Sequence, residues 1–319
     1  MSELVMVEQR RGADDDAAHW IREGGRTVPG QDSNSRLDAL RAGLARHPSV
    51  RAVTADAADE ELERTLAAMH ERAYLEALRG VNGNPVLMPD FAPPGLDPDI
   101  PVDAALVAAA HEGVRTAITA AARLAAGARY TYAVCRPPGH HAGPDFLGGY
   151  CYLNNAAAAV RTLAEAGVSP VGVLDLDLHY PNGTAALVAR MEAATLHSLH
   201  ASPVTNVSAE TVLPQSERER VFAFEGSPGE EGYLAAVAAS VEDLTASAAA
   251  LVVSLGYDTV AGDPHGSWDF SPQVFTEVGR LLARCGRPVC VIQEGGYALS
   301  LLADCSEAFA RGLLGEGEG

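Results

Sequence analysis

The stretch VLDLDLHYPNGT, residues 173–184, begins like a buried strand but carries acidic and imidazole side chains at alternate positions. These are Asp175, Asp177 and His179, with leucines between them. Because strand side chains alternate between two faces, the pattern predicts that all three project to one side. Burying two carboxylates is costly unless a cation or donors compensate, and residues 171–184 contain no Lys or Arg. The stretch therefore favours a divalent metal site, for zinc, iron or manganese, over a salt-bridged strand end.

Three more apolar, β-prone runs precede clusters of unusual polar residues. They are YTYAVC (130–135), ALVVSL (250–255) and PVCVIQ (288–293). Helix-like segments such as NNAAAAVRTLAEAG and SPQVFTEVGRLLARCG separate the runs. Apolar runs without alternation, interleaved with helices, are typical of parallel strands covered on both faces. We therefore predict an α/β fold with an open, mostly parallel sheet and helices on both faces. Ligand chemistry in such sheets lies beyond the carboxyl ends of the strands.

The regions outside these runs give a coarser prediction of domain organisation. Residues 1–30 are polar and are expected to form an irregular N-terminal arm or an edge element, and residues 31–319 a single domain. The Pro-rich residues 84–101 predict a long surface loop, and loops of that length are often functional. The Ala-rich residues 102–127 predict a helix that is ended by Gly127.

Composition argues against several classes of protein. The formal net charge of −19 argues against a nucleic-acid partner, which would require a basic patch. The apolar runs are shorter than the roughly 18 residues of a membrane span, and the first residues lack the apolar segment of a signal peptide. Five scattered cysteines without a CxxC pair predict reduced thiols and a cytoplasmic location. The oligomeric state stays open.

Further motifs supply candidate site residues. Asp258 follows the run at 250–255; in a turn it could be an ordinary Asx-turn residue, or it could complete the three protein ligands of a catalytic zinc site. The tandem His140 and His141 could be a surface pair, or could move protons between a metal-activated water and a leaving amine. Tyr297 of QEGGY could pack in the core, or could donate to a developing oxyanion.

Together these motifs resemble those of the zinc-dependent histone deacetylase and acetylpolyamine amidohydrolase family. RPPGHHAGPDFLGGYCYLNNAAAA, residues 136–159, is most similar to bacterial acetylpolyamine amidohydrolases and class II deacetylases. The similarity runs from about residue 130 to residue 311, and more weakly from about residue 34. The family fold is an arginase-like α/β domain with a mostly parallel sheet. The resemblance thus implies that residues 31–319 are a deacetylase-like catalytic domain.

The resemblance implies a role for each matching residue. The zinc ligands would be Asp177, His179 and Asp258. The catalytic residues would be His140, His141, Tyr297, which polarises the substrate carbonyl, and Asp175, which orients His140. A structural potassium ion (K+) would contact Asp175, Ser198, Leu199 and the backbone of Asp177 and His179. The substrate pocket would include Tyr150, Gly149, His265, Gly295 and Gly296, with Phe222 or a neighbouring aromatic as a further wall.

The chain departs from the family pattern at several positions. Tyr180 and Pro181 stand where the family usually has His-Gly, whereas Asn182, which matches the partner of the second histidine, is retained. Residues 80–101 are short for an acetylpolyamine amidohydrolase, which carries a dimer-forming insertion there. His265 follows GDP, where polyamine-selective relatives can have an acid and many class II enzymes have leucine. The substrate could therefore be an acylpolyamine, an acyl-lysine peptide or an acylated small metabolite.

The expected function is a zinc-dependent amidohydrolase that removes an acetyl or similar acyl group from an amine. A metal-activated water assisted by His141 would attack, His140 held by Asp175 would stabilise charge, and Tyr297 would polarise the carbonyl. A non-catalytic acyl-amine binding protein is an alternative, but binding alone needs neither the histidine pair nor Tyr297. A binuclear ureohydrolase is a second alternative, but Pro181 stands where it would need an Asp ligand and cannot ligate.

Overall fold

One sheet of eight parallel strands organises the molecule. The computed structural model describes residues 3–11, 20–23, 26–202 and 216–315. In chain order the strands are β1 (Leu4–Glu8), β2 (Trp20–Glu23), β3 (Arg26–Pro29), β4 (Val50–Thr54), β5 (Tyr130–Val134), β6 (Val171–Asp175), β7 (Ala194–Ser202), β8 (Glu219–Glu225), β9 (Ala250–Leu255) and β10 (Val289–Gln293). The sheet order is β4-β1-β5-β10-β9-β6-β7-β8, and every neighbouring pair is parallel. Strands β2 and β3 form a separate antiparallel pair.

Helices connect the strands. They are α1 (Asn34–Leu44), α2 (Asp59–Met69), α3 (Arg72–Gly80), α4 (Ala104–Ala125), α5 (Asn155–Glu165), α6 (Asn182–Val188), α7 (Gly229–Ser247), α8 (Val274–Arg284) and α9 (Leu299–Leu314). The predicted helix over 102–127 is confirmed as α4, where Asp103 accepts from the Ala105 N–H at 2.8 Å as the N-cap. Among the helices in the described residues, none is long and apolar enough to cross a bilayer.

Strand side chains alternate between two apolar layers, as expected for a sheet covered on both faces. On one face Leu4 of β1 belongs to a cluster with Leu40 of α1 and Phe309 of α9. On the other face Val5 belongs to a cluster with Ala120 of α4, whose small side chains let the helix lie close to the sheet. A further cluster joins α2 and α3 to α4. The predicted fold class is confirmed: an arginase/deacetylase-like open parallel sheet between helices.

The prediction of an irregular arm or edge element over residues 1–30 is wrong for Leu4–Glu8. This segment is strand β1, which lies inside the sheet between β4 and β5 and is buried. Its pairing partners lie 46 and 126 residues further along the chain, so the local sequence does not specify it. Within the predicted arm, residues 1–2, 12–19 and 24–25 lie outside the described residues.

The 173–184 stretch also differs in detail from the predicted strand. Strand β6 ends at Asp175, so strand alternation does not extend to Asp177 and His179. Instead the chain turns beyond the sheet, where Leu176 N–H still donates to the carbonyl of Ser254 at 2.8 Å. Asp175, Asp177 and His179 nevertheless stay in contact, because the Asp177 N–H donates to Oδ1 of Asp175 at 3.2 Å and the His179 N–H donates to Oδ1 of Asp177 at 3.0 Å.

Candidate active site

The four strands β5, β10, β9 and β6 are neighbours in the sheet, and each is followed by a predicted site residue. The loop after β5 carries the histidine pair, and the turn after β6 carries two of the proposed ligands. The loop after β9 carries the third ligand, and the turn after β10 carries Tyr297. Parallel strands bring their carboxyl ends to one edge, so residues distant in sequence converge there.

Asp177, His179 and Asp258 form a compact group of metal-ligand atoms within 4.8 Å of one another. Nδ1 of His179 lies 3.2 Å from Oδ1 of Asp177 and 3.0 Å from Oδ2 of Asp258. Burial and the Asp177 carboxylate raise the pKa of Asp258 to about 7. Burial acts to raise the pKa of Asp177 too, but His140 and His179 hold it well below its usual range. Two neighbouring buried carboxylates repel each other when both are ionised, and a bound divalent cation would supply the positive charge that compensates them.

Close backbone packing aims these carboxylates inward. A Cβ at Gly256 would lie 2.4 Å from Oδ2 of Asp177, and one at Gly295 would lie 2.5 Å from the same oxygen. The Gly295 N–H donates to Asp177 Oδ2 at 2.8 Å, and the Leu178 N–H donates to Asp258 Oδ1 at 3.1 Å. Two oriented carboxylates and one imidazole make a donor set that fits zinc with an open position.

The first histidine of the pair lies among carboxylates. His140 and His141 have ring centroids 4.1 Å apart, tilted by 43°. Nδ1 of His140 lies 3.4 Å from Oδ2 of Asp175, longer than a well-formed hydrogen bond, and Nε2 lies 3.6 Å from Oδ1 of Asp177. Burial acts to lower the pKa of His140, but Asp177 and Asp175 raise it to about 10. These two carboxylates therefore favour the protonated form of the His140 ring.

The second histidine has the opposite electrostatic environment. Nδ1 of His141 lies 2.7 Å from Oδ1 of Asn182, an atom that can only accept, so Nδ1 carries the proton and Nε2 is left as an acceptor. Burial, His140 and His179 lower the pKa of His141 well below its usual range. Neighbouring titratable groups with oppositely shifted pKa values are typical of acid–base sites.

Tyr297 lies in a cluster of rings. Its ring centroid is 4.9 Å from that of His265 and 5.4 Å from that of Tyr150, and Cζ of Arg36 lies 4.5 Å over its face. Burial raises the pKa of Tyr297 well above its ordinary value, although Arg36 opposes this. The raised pKa favours the protonated phenol, which can donate, and the residue is buried, with 8% exposed, in an apolar cluster that also contains Tyr150.

The turn at Gly149 and Tyr150 has two consecutive residues with positive φ, 53° and 68°. Positive φ is strained for a bulky residue such as Tyr150, and contacts on both sides of the turn hold it. The Gly149 N–H donates to Oδ2 of Asp99 at 2.8 Å, and the Tyr150 hydroxyl lies 3.1 Å from Nε2 of His265. A Cβ at Gly149 would lie 2.5 Å from the ring of His141, so the turn packs directly against the histidine pair.

The proposed potassium contacts lie beside the site on adjacent strands. Asp175 of β6 is in register with Ser198 of β7, and both are buried together with Leu199. Oδ2 of Asp175 is a buried oxygen without a hydrogen-bond partner within the described structure, whereas Oγ of Ser198 lies 2.8 Å from Nδ1 of His200. Potassium binding here stays a prediction.

Tyr180, which departs from the family pattern, and Asn182, which is retained, both make structural contacts after β6. Tyr180 is buried, and its hydroxyl donates to Oε1 of Glu219 at 2.7 Å, which ties the turn after β6 to the edge strand β8. Asn182 begins α6 and keeps its contact with the second histidine. Phe222, predicted as a further pocket wall, lies on the edge strand β8 and packs against His197 of the adjacent strand β7.

Several buried charged residues contact the site but were not predicted from the sequence. Oε2 of Glu294 accepts from the N–H groups of Gly139 (2.6 Å) and His140 (3.1 Å). Arg36 donates through Nη2 to the Glu294 carbonyl and through Nε to the Gly296 carbonyl, each at 2.6 Å. These bonds join the histidine loop to the tyrosine turn.

Some signals for these residues were present in the sequence. Arg36 pairs with Asp32 four residues earlier at the start of α1, a recognisable helical spacing. Glu294 directly precedes the glycines of QEGGY, and Asp263 lies in the AGDP segment. For Asp99, within a Pro-rich loop, the sequence offers no such signal.

The fold and site together define an arginase/deacetylase-like α/β protein with a candidate metal centre. The family model described as histone deacetylase domain matches residues 31–313, so the chain belongs to the histone deacetylase family, as the motifs suggested. Acetylpolyamine amidohydrolase 1 of Pseudomonas aeruginosa is 34% identical over 226 residues, covering 68% of this chain and 65% of that protein. Acetylpolyamine amidohydrolase of Mycoplana ramosa is 35% identical, covering 60% of this chain and 58% of that protein.

These alignments span less than two thirds of the length of either relative, whereas a structural match spans nearly the whole chain. The crystal structure of acetylpolyamine aminohydrolase from Burkholderia pseudomallei matches with a TM-score of 0.85 at 25% identity, over 99% of both chains. The HDA15 HD domain matches with a TM-score of 0.77 at 24% identity, over 99% of this chain and 91% of that one, which shows the shared fold.

Proposed function

We propose that the protein is a zinc-dependent amidohydrolase that removes an acetyl group from an amine, with acetylated polyamines as the preferred substrate class. One observation carries the proposal. A compact three-ligand group lies at one sheet edge, where the turns after the neighbouring strands also carry a pair of histidines with ring centroids 4.1 Å apart and a buried tyrosine. Family membership and relatives named acetylpolyamine amidohydrolase support the reaction and the substrate class.

The ligand set defines where the amide would bind. A zinc ion held by Asp177, His179 and Asp258 would supply a Lewis acid for the amide carbonyl and for the attacking water. Asp258 and Asp177 keep their orientation through the Leu178 and Gly295 N–H groups, so the ligands need little rearrangement on binding.

His141 is the residue suited to move the proton. Because Asn182 holds the Nδ1 proton, Nε2 of His141 is free to take a proton from water as a general base. The same nitrogen then returns the proton to the departing amine nitrogen. His140, whose ring nitrogens lie 3.4 Å from Asp175 and 3.6 Å from Asp177, is the residue suited to stabilise the negative charge that develops during attack.

Tyr297 is the residue suited to stabilise the oxygen. A protonated phenol can donate a hydrogen bond to the oxyanion formed from the amide carbonyl. Arg36 above the ring and His265 beside it hold the aromatic plane, so the donor is oriented before the substrate arrives. A potassium ion near Asp175, Ser198 and Leu199 is part of the proposal as a structural element.

The direct test is an amide panel with defined metal content. Zinc-loaded protein is incubated with an acetylated polyamine, an acetyl-lysine peptide and a neutral N-acetyl amine, and acetate release is measured. We expect hydrolysis that needs one zinc per chain, is abolished by chelation and returns on adding zinc, with the polyamine preferred. Hydrolysis of none of the three amides would support the alternative of a non-catalytic acyl-amine binding protein. Full activity of metal-free protein would contradict the zinc assignment.

A further inference from the structure

Asp263, in the loop between β9 and α8, is a buried carboxylate whose two oxygens hold two parts of the site. Oδ2 accepts from the N–H of Tyr297 at 2.6 Å and from the N–H of Ala298 at 2.9 Å. Oδ1 accepts from the N–H of His265 at 3.0 Å. Only 6% of Asp263 is exposed, so water competes little for these three bonds. One side chain therefore fixes the backbone of Tyr297 and the backbone of the residue whose ring packs against it.

The position of Tyr297 explains why an external acceptor is needed. Helix α9 begins at Leu299, and its N-cap residue Ala298 has no side chain that could accept from the first N–H groups. The partial positive charge of a helix N-terminus also favours a nearby carboxylate. Asp263, in the loop between β9 and α8, provides both the hydrogen-bond acceptor and the negative charge. The N–H groups of Tyr297 and Ala298, at the start of this helix, are thus satisfied by a carboxylate from a distant part of the chain.

The ring contacts of Tyr297 depend on the same carboxylate. His265 packs edge-on at 4.9 Å between centroids, and its Nε2 reaches the Tyr150 hydroxyl at 3.1 Å. Without the Asp263 carboxylate, the His265 backbone would lose the bond from its N–H group. The backbone at Tyr297 would lose its two bonds to the same carboxylate. The two effects would act together on the direction of the phenol.

We propose that Asp263 is the positioning residue for Tyr297, setting the location of the phenol that donates to the reacting oxygen. The inference rests on the proposed amide hydrolysis. It assigns Asp263 a role in that reaction through Tyr297, without contact between Asp263 and the substrate. Misplacement of a catalytic group by about 1 Å can lower the rate by about 100-fold, so the loss of this anchor has a measurable cost.

Asp263→Asn tests the proposal with nearly the same shape. An amide offers one acceptor oxygen, so its NH2 group would face either the His265 N–H or the two N–H groups at the tyrosine. We expect kcat to fall by about 10- to 100-fold, with KM changed by less than about threefold and zinc content unchanged. The matched control is Asp103→Asn, which alters the carboxylate that caps α4; it should leave kcat within about twofold because Asn caps nearly as well as Asp.

A double-mutant cycle separates positioning from general damage. In the Tyr297→Phe background the hydroxyl is absent, so Asp263→Asn should lower kcat no further than about twofold. Equal losses in both backgrounds would overturn the proposal, as would a kcat within threefold of wild type for Asp263→Asn. Asp263→Glu, which keeps both carboxylate oxygens but adds a methylene, provides a second variant with the same expectation. Failure of both variants to fold would also overturn it, because Asp263 would then hold the whole fold and not the tyrosine.

A structural readout keeps this inference distinct from the proposed function. If the wild-type protein hydrolysed no acetyl amine, the proposed function would fail, and crystal structures of the variants would still test Asp263. We expect the Tyr297 ring to be displaced in Asp263→Asn and unmoved in Asp103→Asn. A Tyr297 ring in its wild-type place in Asp263→Asn would overturn the inference whatever the activity.

Discussion

His70, directly after α2, should make the stability of the protein sensitive to mild acid. Its Nδ1 lies 2.8 Å from the Gly143 carbonyl, and its Nε2 accepts from the Asn154 N–H at 3.3 Å. Because Nδ1 donates and Nε2 accepts, the contacts require the neutral ring; a second ring proton would face the Asn154 N–H. Burial lowers the pKa of His70 from 6.5 to about 4, and His111 adds to this. His70 thereby joins α2 to the loop after the histidine pair and to the start of α5.

The direction and size of the effect follow from linkage. The folded-state pKa lies below the unfolded one, so the unfolded state binds more protons between about pH 6.5 and pH 4. The stability from neutral His70 is complete above this window and is lost as the pH falls through it. One pKa unit corresponds to about 1.4 kcal/mol, so going from pH 7 to pH 5 should remove about 2 kcal/mol of unfolding free energy.

The assay is urea unfolding of the wild type and of His70→Gln at pH 7 and at pH 5, with equal zinc content. Glutamine cannot titrate, so the unfolding free energy of the variant should lack the part of the pH dependence that comes from His70. Other titrating groups contribute equally to both proteins. At pH 7 the variant should be less stable by about 1–3 kcal/mol, the cost of poorly satisfied buried groups. At pH 5 the difference should shrink by about 2 kcal/mol. A difference that is equal at the two pH values would refute the reasoning.

Three other predictions concern the site. Tyr297→Phe should lower kcat by about 10²–10³ without changing zinc content, measured by steady-state kinetics and metal analysis; near-normal turnover would remove the phenol from the mechanism. Gly256→Ala places a methyl group against Asp177 and should weaken zinc affinity by about 10- to 100-fold in a chelator competition, whereas Gly80→Ala, in open space, should not. His265→Glu should favour acetylpolyamines over a neutral N-acetyl amine in kcat/KM by about 1–3 kcal/mol, and an unchanged ratio would show that this residue does not face the amine.

The fold could be predicted where strands are buried on both faces. The runs that became β5, β6, β9 and β10 are continuous in apolar residues and were recognised as strands. The strands β4 and β8 mix charged and apolar residues, VRAVT and ERVFAFE, because within the described residues one side of each has no neighbouring strand. Strand β1 is apolar but brief within a polar segment, and only its distant partners specify its place.

The site residues could be predicted where several ionisable side chains lie together in a short stretch of sequence. Asp177 and His179 were found because two buried carboxylates and an imidazole in one run need a cation, although the strand alternation used to group them stops at Asp175. Asp263 and Glu294 lie within recognisable motifs, but their roles could not be assigned, because each is a single carboxylate whose partners are backbone N–H groups elsewhere in the chain. Backbone donors carry no signature in the sequence, so only the folded structure identifies their acceptors.

The spacing of the contacts at the sheet edge has a consequence for how the protein folds. The bond from Gly295 to Asp177 joins residues 118 apart, and the bond from Arg36 to Gly296 joins residues 260 apart. Contacts between residues so far apart in the sequence form slowly, because closing a long loop costs chain entropy before the parallel strands can pair. The ligands follow β6 and β9, which pair directly, but the bond that orients Asp177 forms only when the last strand, β10, has joined the sheet. A nascent chain that ends before β10 would therefore carry all three ligands, but its Asp177 would lack the Gly295 N–H that orients it, so we expect zinc to bind fully only after the last strand is in place.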